Sequence, residues 1–211
     1  YYNMTEVNQA QSTLNIEQYV TNILGTIDRE REREIVSRRF GLFDRKETLE
    51  QIGELLGITR ERVRQLEKVI VTRLKSTGDK LPHINEVQSV FIEQLQAMGQ
   101  AARISDLAAK LTAENSRTDQ ARVAFLAELC PKLAVIDEND FFYHATGIAE
   151  VHDTKAMKDQ IDKIIEAIKK INEPVAISKI AAEAKIDDPK HAEALASISK
   201  QLATLNGRWG L

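Results

Sequence analysis

The stretch TLEQIGELLGITRERVRQLEKVIVTRLK, from Thr48 to Lys75, constrains this chain more than any other. Thr48 can cap a helix, and Gln51 three residues on can close a capping box. Leu49, Ile52, Leu55 and Leu56 mark a short helix that Gly57 interrupts. Thr59 can cap a second helix, RERVRQLEKVIVTRL, with Val63, Leu66, Val69, Ile70 and Leu74 as its apolar stripe. Two helices joined by a short glycine-containing turn form a helix-turn-helix. Gly53 falls where the helices must cross closely, and Gly57 can take the left-handed conformation that the turn needs. Ile52, Leu56, Ile58, Val63 and Leu66 are the expected small core.

Left on the outer face, at the start of the second helix, are Arg60, Glu61, Arg64 and Gln65. A recognition helix presents its first residues to base edges in the major groove. Arginine pairs with guanine, glutamate accepts from cytosine and glutamine pairs with adenine. A solvated charged helix would explain the charges alone. It would not explain why two glycines, two caps and five apolar positions fall together.

Net charge is −3 over 211 residues but is unevenly spread. Thr59 to Lys75 carries +4, His83 to Glu150 −5 and Val151 to Leu211 +1. Such a chain is a poor non-specific coat for DNA, since phosphate neutralisation drives that binding; it can bind locally through one basic element. Hydrophobic residues make up 43% and aromatics 5%, which calls for aliphatic, alanine-rich cores. The one cysteine, Cys130, suits a reducing compartment. No apolar run reaches membrane-span length and no signal-peptide pattern opens the chain, so a cytoplasmic location is expected.

Residues 1–13 are polar. From Leu14 the positions Ile16, Tyr19, Val20, Ile23, Leu24 and Ile27 follow helical spacing, and Asp28 is the expected cap of REREREIVSRRF. Residues 14–75 thus read as four helices in one bundle. The strings RERE, RRFGL, TLEQIGELLG and TRERVRQLE resemble region 4 of the primary sigma factors of bacterial RNA polymerase. The resemblance implies binding to the −35 promoter element and packing on the flap of the polymerase β subunit. It assigns base contacts to Arg60, Glu61 and Gln65, with Arg64 beside them. It places Thr59, Arg62 and Lys68 near phosphates, and Arg38, Arg39 and Thr48 along the DNA backbone. The aromatic-rich, basic segment with which sigma factors melt DNA is lacking, so this chain is expected to locate a promoter without opening it.

STGDK, at 76–80, ahead of Pro82 is a boundary signal. Beyond it lies an internal repeat: IEQLQAMGQAARISDLAAKLT, from Ile92, aligns without a gap to IEAIKKINEPVAISKIAAEAK, from Ile165. Each copy reads as a helix, a short extended piece, a second helix capped by Ser105 or Ser178, a third helix and an apolar hairpin. In the first hairpin DEND is the expected turn, with Phe141, Phe142 and Tyr143 on a strand. In the second, Asn206-Gly207 is a strong hairpin signal. This is the pattern of a winged helix. The ISxLA helix and closing aromatic strand resemble the HARE-HTH family, which includes the N-terminal domain of the RNA polymerase δ subunit and implies an accessory role near DNA or polymerase. The expected fold is mainly α: a helix-turn-helix bundle over 1–78, then winged helices over 79–150 and 151–211 with small β-hairpin wings. In the first winged helix only Arg122 offers a phosphate contact from the third helix. The second offers a scatter of Lys179, Lys185, Lys190, Lys200 and Arg208.

No catalytic set stands out, and no motif calls for a cofactor or metal. His83, His144, His152 and His191 are isolated in sequence, with no partner at ligand spacing. Asp137, Glu138 and Asp140 fit a hairpin turn, and Cys130 fits a core. The leading expectation is a non-enzymatic bacterial transcription regulator with duplex DNA as partner. The alternative is an adaptor for RNA polymerase, using an outer surface of the first two helices that includes Tyr19, Ile23 and Phe43. A third reading is the DNA-recognition half of a restriction system.

Overall fold

The computed structural model describes residues 14–211; the polar stretch 1–13 lies outside them. Helices α1 (Ile16–Leu24), α2 (Glu30–Phe40), α3 (Leu49–Leu56) and α4 (Arg60–Thr77) come first. There follow α5 (Ile84–Met98), β1 (Ala101–Arg103), α6 (Ile104–Leu111), α7 (Arg117–Leu129), β2 (Leu133–Ile136) and β3 (Ala145–Ile148). The same order then recurs as α8 (Thr154–Ile171), β4 (Val175–Ala176), α9 (Ile177–Ala184), α10 (Pro189–Ile198), β5 (Ala203–Leu205) and β6 (Arg208–Gly210). Both copies close on a three-stranded antiparallel sheet with the last strand in the middle, β1-β3-β2 and β4-β6-β5. The fold is mainly helical with small sheets, and this order and pairing are those expected of helix-turn-helix and winged-helix elements.

The chain divides into two compact units. One holds the chain up to Gln88 together with Ala108–Pro131; the other holds Ser89–Leu107 and Lys132–Leu211. This division is drawn along other lines than boundaries near residues 78 and 150.

In the first unit the core comprises Val20, Ile23, Ile35, Val36, Leu42, Ile52, Val63, Ile70 and Leu74 from the first four helices, with Val123 and Leu126 from α7. Helix α7 packs on α1, α2 and α4, and Phe125 meets Phe40 with ring centroids 5.2 Å apart. The charge run of α2 is largely structural. Glu32 is buried and takes an ion pair from Arg73 at 3.0 Å. Arg31 donates to the Leu56 carbonyl at 3.1 Å, and Arg39 binds Glu67 of α4 at 3.1 Å. The cap of α2 is Arg29, without a side-chain bond, in place of the expected Asp28. Val69 is 54% exposed, so it does not join the apolar stripe expected of it, and Leu55 is likewise exposed, at 56%. Each lies outside the narrow arc where α3 and α4 meet.

The second unit is built on Ile161, Ile164, Ile168, Ile180, Leu195, Ile198 and Trp209, with Ala101, Ile136 and Ala145. Here β1 lies against α10; Arg103 donates to the Ser197 carbonyl and covers the Tyr143 ring at 3.8 Å. Residues 137–144 form a longer loop than the expected DEND turn, and Phe141 to Tyr143 are not part of β3. They pair instead with the end of α10: Tyr143 N–H donates to Ile198 at 2.9 Å and Lys200 N–H to Phe141 at 2.8 Å. Asn206 and Gly207, with φ of 51° and 75°, make the expected tight turn between β5 and β6. Ser178 does not cap α9; Ala176 stands at that position with no side-chain bond.

Candidate nucleic-acid interface

Thr48 accepts from the Gln51 N–H and Gln51 returns a bond to the Thr48 N–H, a complete capping box at the start of α3. Thr59 accepts from the Arg62 N–H at 3.1 Å at the start of α4. Each threonine hydroxyl still has its own proton to donate. Between the helices Gly57 sits at φ 69° and the Ile58 N–H returns to the Gly53 carbonyl at 2.9 Å. A Cβ on Gly53 would stand 2.6 Å from the Ile58 carbonyl oxygen, a distance side chains do not tolerate. The absence of that atom sets how closely the turn folds onto α3, and hence where α4 begins.

Arg60, Glu61, Arg64 and Gln65 are all exposed, and their spacing puts them on one side of the first two turns of α4. Lys68 continues that side one turn further on. Two ion pairs occupy the arginines. Arg60 meets Glu50 of α3 at 3.1 Å, and Arg64 grips both oxygens of Glu61, with a shortest separation of 2.6 Å. The bond from Arg64 holds the Glu61 carboxyl below its ordinary range. Exposed pairs of this kind are worth little and exchange readily for other partners. The Gln65, Arg62 and Lys68 side chains make no hydrogen bond or ion pair among the described residues.

The other two residues named from sequence are placed differently. Arg38 binds Glu34 at 2.6 Å and Glu47 at 2.8 Å, and these carboxylates raise its affinity for the proton. Arg39 binds Glu67 and the Glu47 carbonyl. Both hold α2 to its neighbours, and both remain partly exposed. Sequence reasoning missed Glu50 as the partner of Arg60. It also passed over Arg45 and Lys46, exposed in the loop ahead of Thr48. Two consecutive cations just before a capping box would have been the signal.

The third helices of the two repeats are buried over more of their length than α4. Arg122 is not a phosphate contact: its side chain is 11% exposed, donates to the Leu42 carbonyl at 2.8 Å and lies 3.6 Å from Glu17. On α10, His191, Ala192, Ala194, Leu195, Ala196 and Ile198 are buried. The surface suggested for an adaptor is also covered in part. Ile23 is fully buried, and Tyr19 stacks on His83 with centroids 4.3 Å apart and donates to Glu86 at 2.9 Å. Phe43, at 45% exposure, is open. Cys130 is buried, which pushes its thiol up to about 12 and removes it as a nucleophile.

Geometry and sequence together define a helix-turn-helix over this part of the chain. Residues 29–76 match the family model of Sigma-70, region 4. Among similar curated proteins, RNA polymerase sigma factor sigB of Arabidopsis thaliana is 45% identical over 58 residues, 27% of this chain and 9% of that protein. RNA polymerase sigma factor RpoS of Coxiella burnetii is 36% identical over 84 residues, 39% of this chain and 22% of its own length. RNA polymerase sigma factor RpoD of Helicobacter pylori is 49% identical over 49 residues, 22% and 7%. The chain thus spans less than a quarter of the length of each. No solved structure matches the chain significantly. The match supports a DNA-binding, transcription-related role for the segment. No helix among the described residues is long and apolar enough to cross a membrane.

Proposed function

We propose that the chain is a sequence-specific, DNA-binding bacterial transcription regulator of the cytoplasm that reads −35-like duplex DNA through α4. The observation that carries this is the open first face of that helix. Arg60, Glu61, Arg64 and Gln65 stand exposed behind a capped N-terminus, on a crossing fixed by Gly53. The donors around them suit phosphates: the Thr48 and Thr59 hydroxyls at two helix N-termini, and the unpaired cations of Arg62 and Lys68. The chain acts by binding, without a catalytic step of its own. The two repeats serve as HARE-HTH-like accessory modules, and the third helix of each packs into the core of its own unit in preference to reading DNA.

The second reading, a polymerase-binding adaptor that modulates sigma, draws on Phe43, which remains open. The burial of Ile23 and the engagement of Tyr19 weigh against the broader surface that it would use.

The test is competition between a −35-like duplex and a scrambled one, followed by fluorescence anisotropy. Arg60→Ala or Gln65→Ala is expected to lose about 1–3 kcal/mol of the preference. Lys68→Ala is expected to weaken both duplexes alike and to reduce the salt slope by about one. Equal binding of the unaltered protein to both duplexes would overturn base readout. Capture of core polymerase in the absence of DNA would favour the adaptor.

A further inference from the structure

The second unit brings together two histidines that lie 39 residues apart in the chain. His152 precedes α8 and His191 lies in the first turn of α10. Their Nε2 atoms are 3.0 Å apart, and the rings stack at 24° with centroids separated by 5.1 Å. His191 Nδ1 lies 2.7 Å from the Gly99 carbonyl oxygen. That nitrogen therefore carries a proton, and His191 Nε2 presents its lone pair. In the neutral pair, His152 fills the gap with its own Nε2 proton.

We propose that the two Nε2 atoms are a binding site for a late first-row divalent metal ion, such as Ni2+, Cu2+ or Zn2+, which replaces the proton between them. Metal–imidazole bonds are about 2.0–2.1 Å long. Two nitrogens 3.0 Å apart can both reach one such ion, with an angle of about 91–97° between the bonds. That angle suits the octahedral and tetragonal preferences of nickel and copper better than a tetrahedral site. The bond from His191 Nδ1 to Gly99 is the outer support that metal-binding imidazoles use, fixing tautomer and ring orientation. It is held in place from behind, because the backbone at Gly99 lies so close to α10 that a Cβ would meet the Lys190 carbonyl at 2.6 Å.

Binding is balanced without redox chemistry. His152 shifts its proton from Nε2 to Nδ1 through solvent, and two neutral imidazoles then coordinate the ion with no net proton release. Protons compete with the ion for the same ring nitrogens, so acid opposes metal binding. His191 is buried and His152 half-buried, so one ligand is fixed while the other is open to the water that completes the coordination sphere. Among the described residues no group of three or more His, Cys, Asp or Glu side chains is placed to hold a metal ion. The site is accordingly an exchangeable clamp, joining the turn after α5, the segment before α8 and the start of α10.

The full chain, stripped of metal, is titrated with Ni2+ at neutral pH by calorimetry, and its thermal midpoint is followed in parallel. One ion per chain and a raised midpoint are expected. His152→Gln, at a half-exposed position, is expected to keep the helical spectrum and bind Ni2+ more than about tenfold more weakly. His191→Gln should lose binding as well, while His83→Gln binds as the unaltered protein does. Absence of one-to-one saturation, or His152→Gln binding within twofold of the parent (a factor set by calorimetric error), would leave the pair as a hydrogen bond only and overturn the proposal.

Discussion

The guanidinium of Arg122 donates through Nε to the carbonyl oxygen of Leu42 across 2.8 Å, so α7 is tied to the loop that follows α2. The same group lies 3.6 Å from Glu17 and over the Phe43 ring at 5.3 Å. Lys75 makes a second tie, to Glu128. These bonds make a helix of the first repeat part of the bundle formed by the first four helices. Arg122→Ala leaves a carbonyl without its donor and is expected to cost about 1–3 kcal/mol. The check is a lower denaturant midpoint at unchanged slope. Arg122→Lys keeps the charge without the fork and should fall between the two. Unchanged stability in Arg122→Ala would show that the tie carries no weight.

The two glycines of the helix-turn-helix are expected to fail in different ways. At Gly53 an added Cβ meets the backbone carbonyl of Ile58 at 2.6 Å, so Gly53→Ala must push the turn off α3. It should cost about 1–3 kcal/mol and weaken DNA binding at temperatures where the protein is still folded. At Gly57 nothing stands within 4 Å, and only the left-handed φ of 69° opposes a side chain. Gly57→Ala should cost about 1–2 kcal/mol and spare DNA affinity in the folded protein. Equal loss of affinity in both would argue against Gly53 as the residue that sets the position of α4.

What was legible in the sequence follows from how far each interaction reaches along the chain. Thr48 with Gln51, Thr59 with Arg62, and Gly53 with Ile58 all act within a few residues. Their spacing alone therefore gives the helix-turn-helix and its outward-facing set. The repeat was equally local, since each copy folds through the same alternation of apolar positions. Arg122 with Leu42, His152 with His191, and Arg103 with Ser197 span 80, 39 and 94 residues. Helical periodicity says that Ile23 has a buried face, but not that α7 is among the elements packed on its helix. Spacing alone therefore offers Arg122 as a phosphate contact and leaves the histidines isolated, because tertiary packing sets their partners.

Glu50 and Glu61 occupy Arg60 and Arg64, the two arginines proposed to face bases. On DNA, Arg60 must leave Glu50 or share it, and Glu50 brings a negative charge toward the phosphates. Glu50→Gln is expected to strengthen binding to −35-like and scrambled duplexes together, raising affinity more than preference. Under the proposed readout Glu61 faces a base, so Glu61→Gln should differ: overall affinity rises and discrimination at one base pair falls. Anisotropy titrations on duplexes with single substitutions separate the two. A loss of affinity in Glu50→Gln would mean that Glu50 positions Arg60 for DNA.

The histidine pair also sets an expected pH dependence in the absence of metal. A second proton on either ring would place two N–H groups face to face across the 3.0 Å gap. Burial lowers the His152 pKa from its ordinary 6.5, and the nearby His191 adds to this. Asp153 pulls the other way and Lys163 lowers it slightly. Because the folded-state value is depressed, the unfolded chain takes up its proton first as pH falls. The contribution of His152 is complete above the unfolded value near 6.5 and is lost as pH drops through the lower folded value. The protein is therefore expected to lose stability on acidification below the ordinary histidine value of 6.5. His152→Gln should flatten that part of the curve, measured as thermal midpoint against pH. A slope that His152→Gln leaves unchanged would place the titrating group elsewhere.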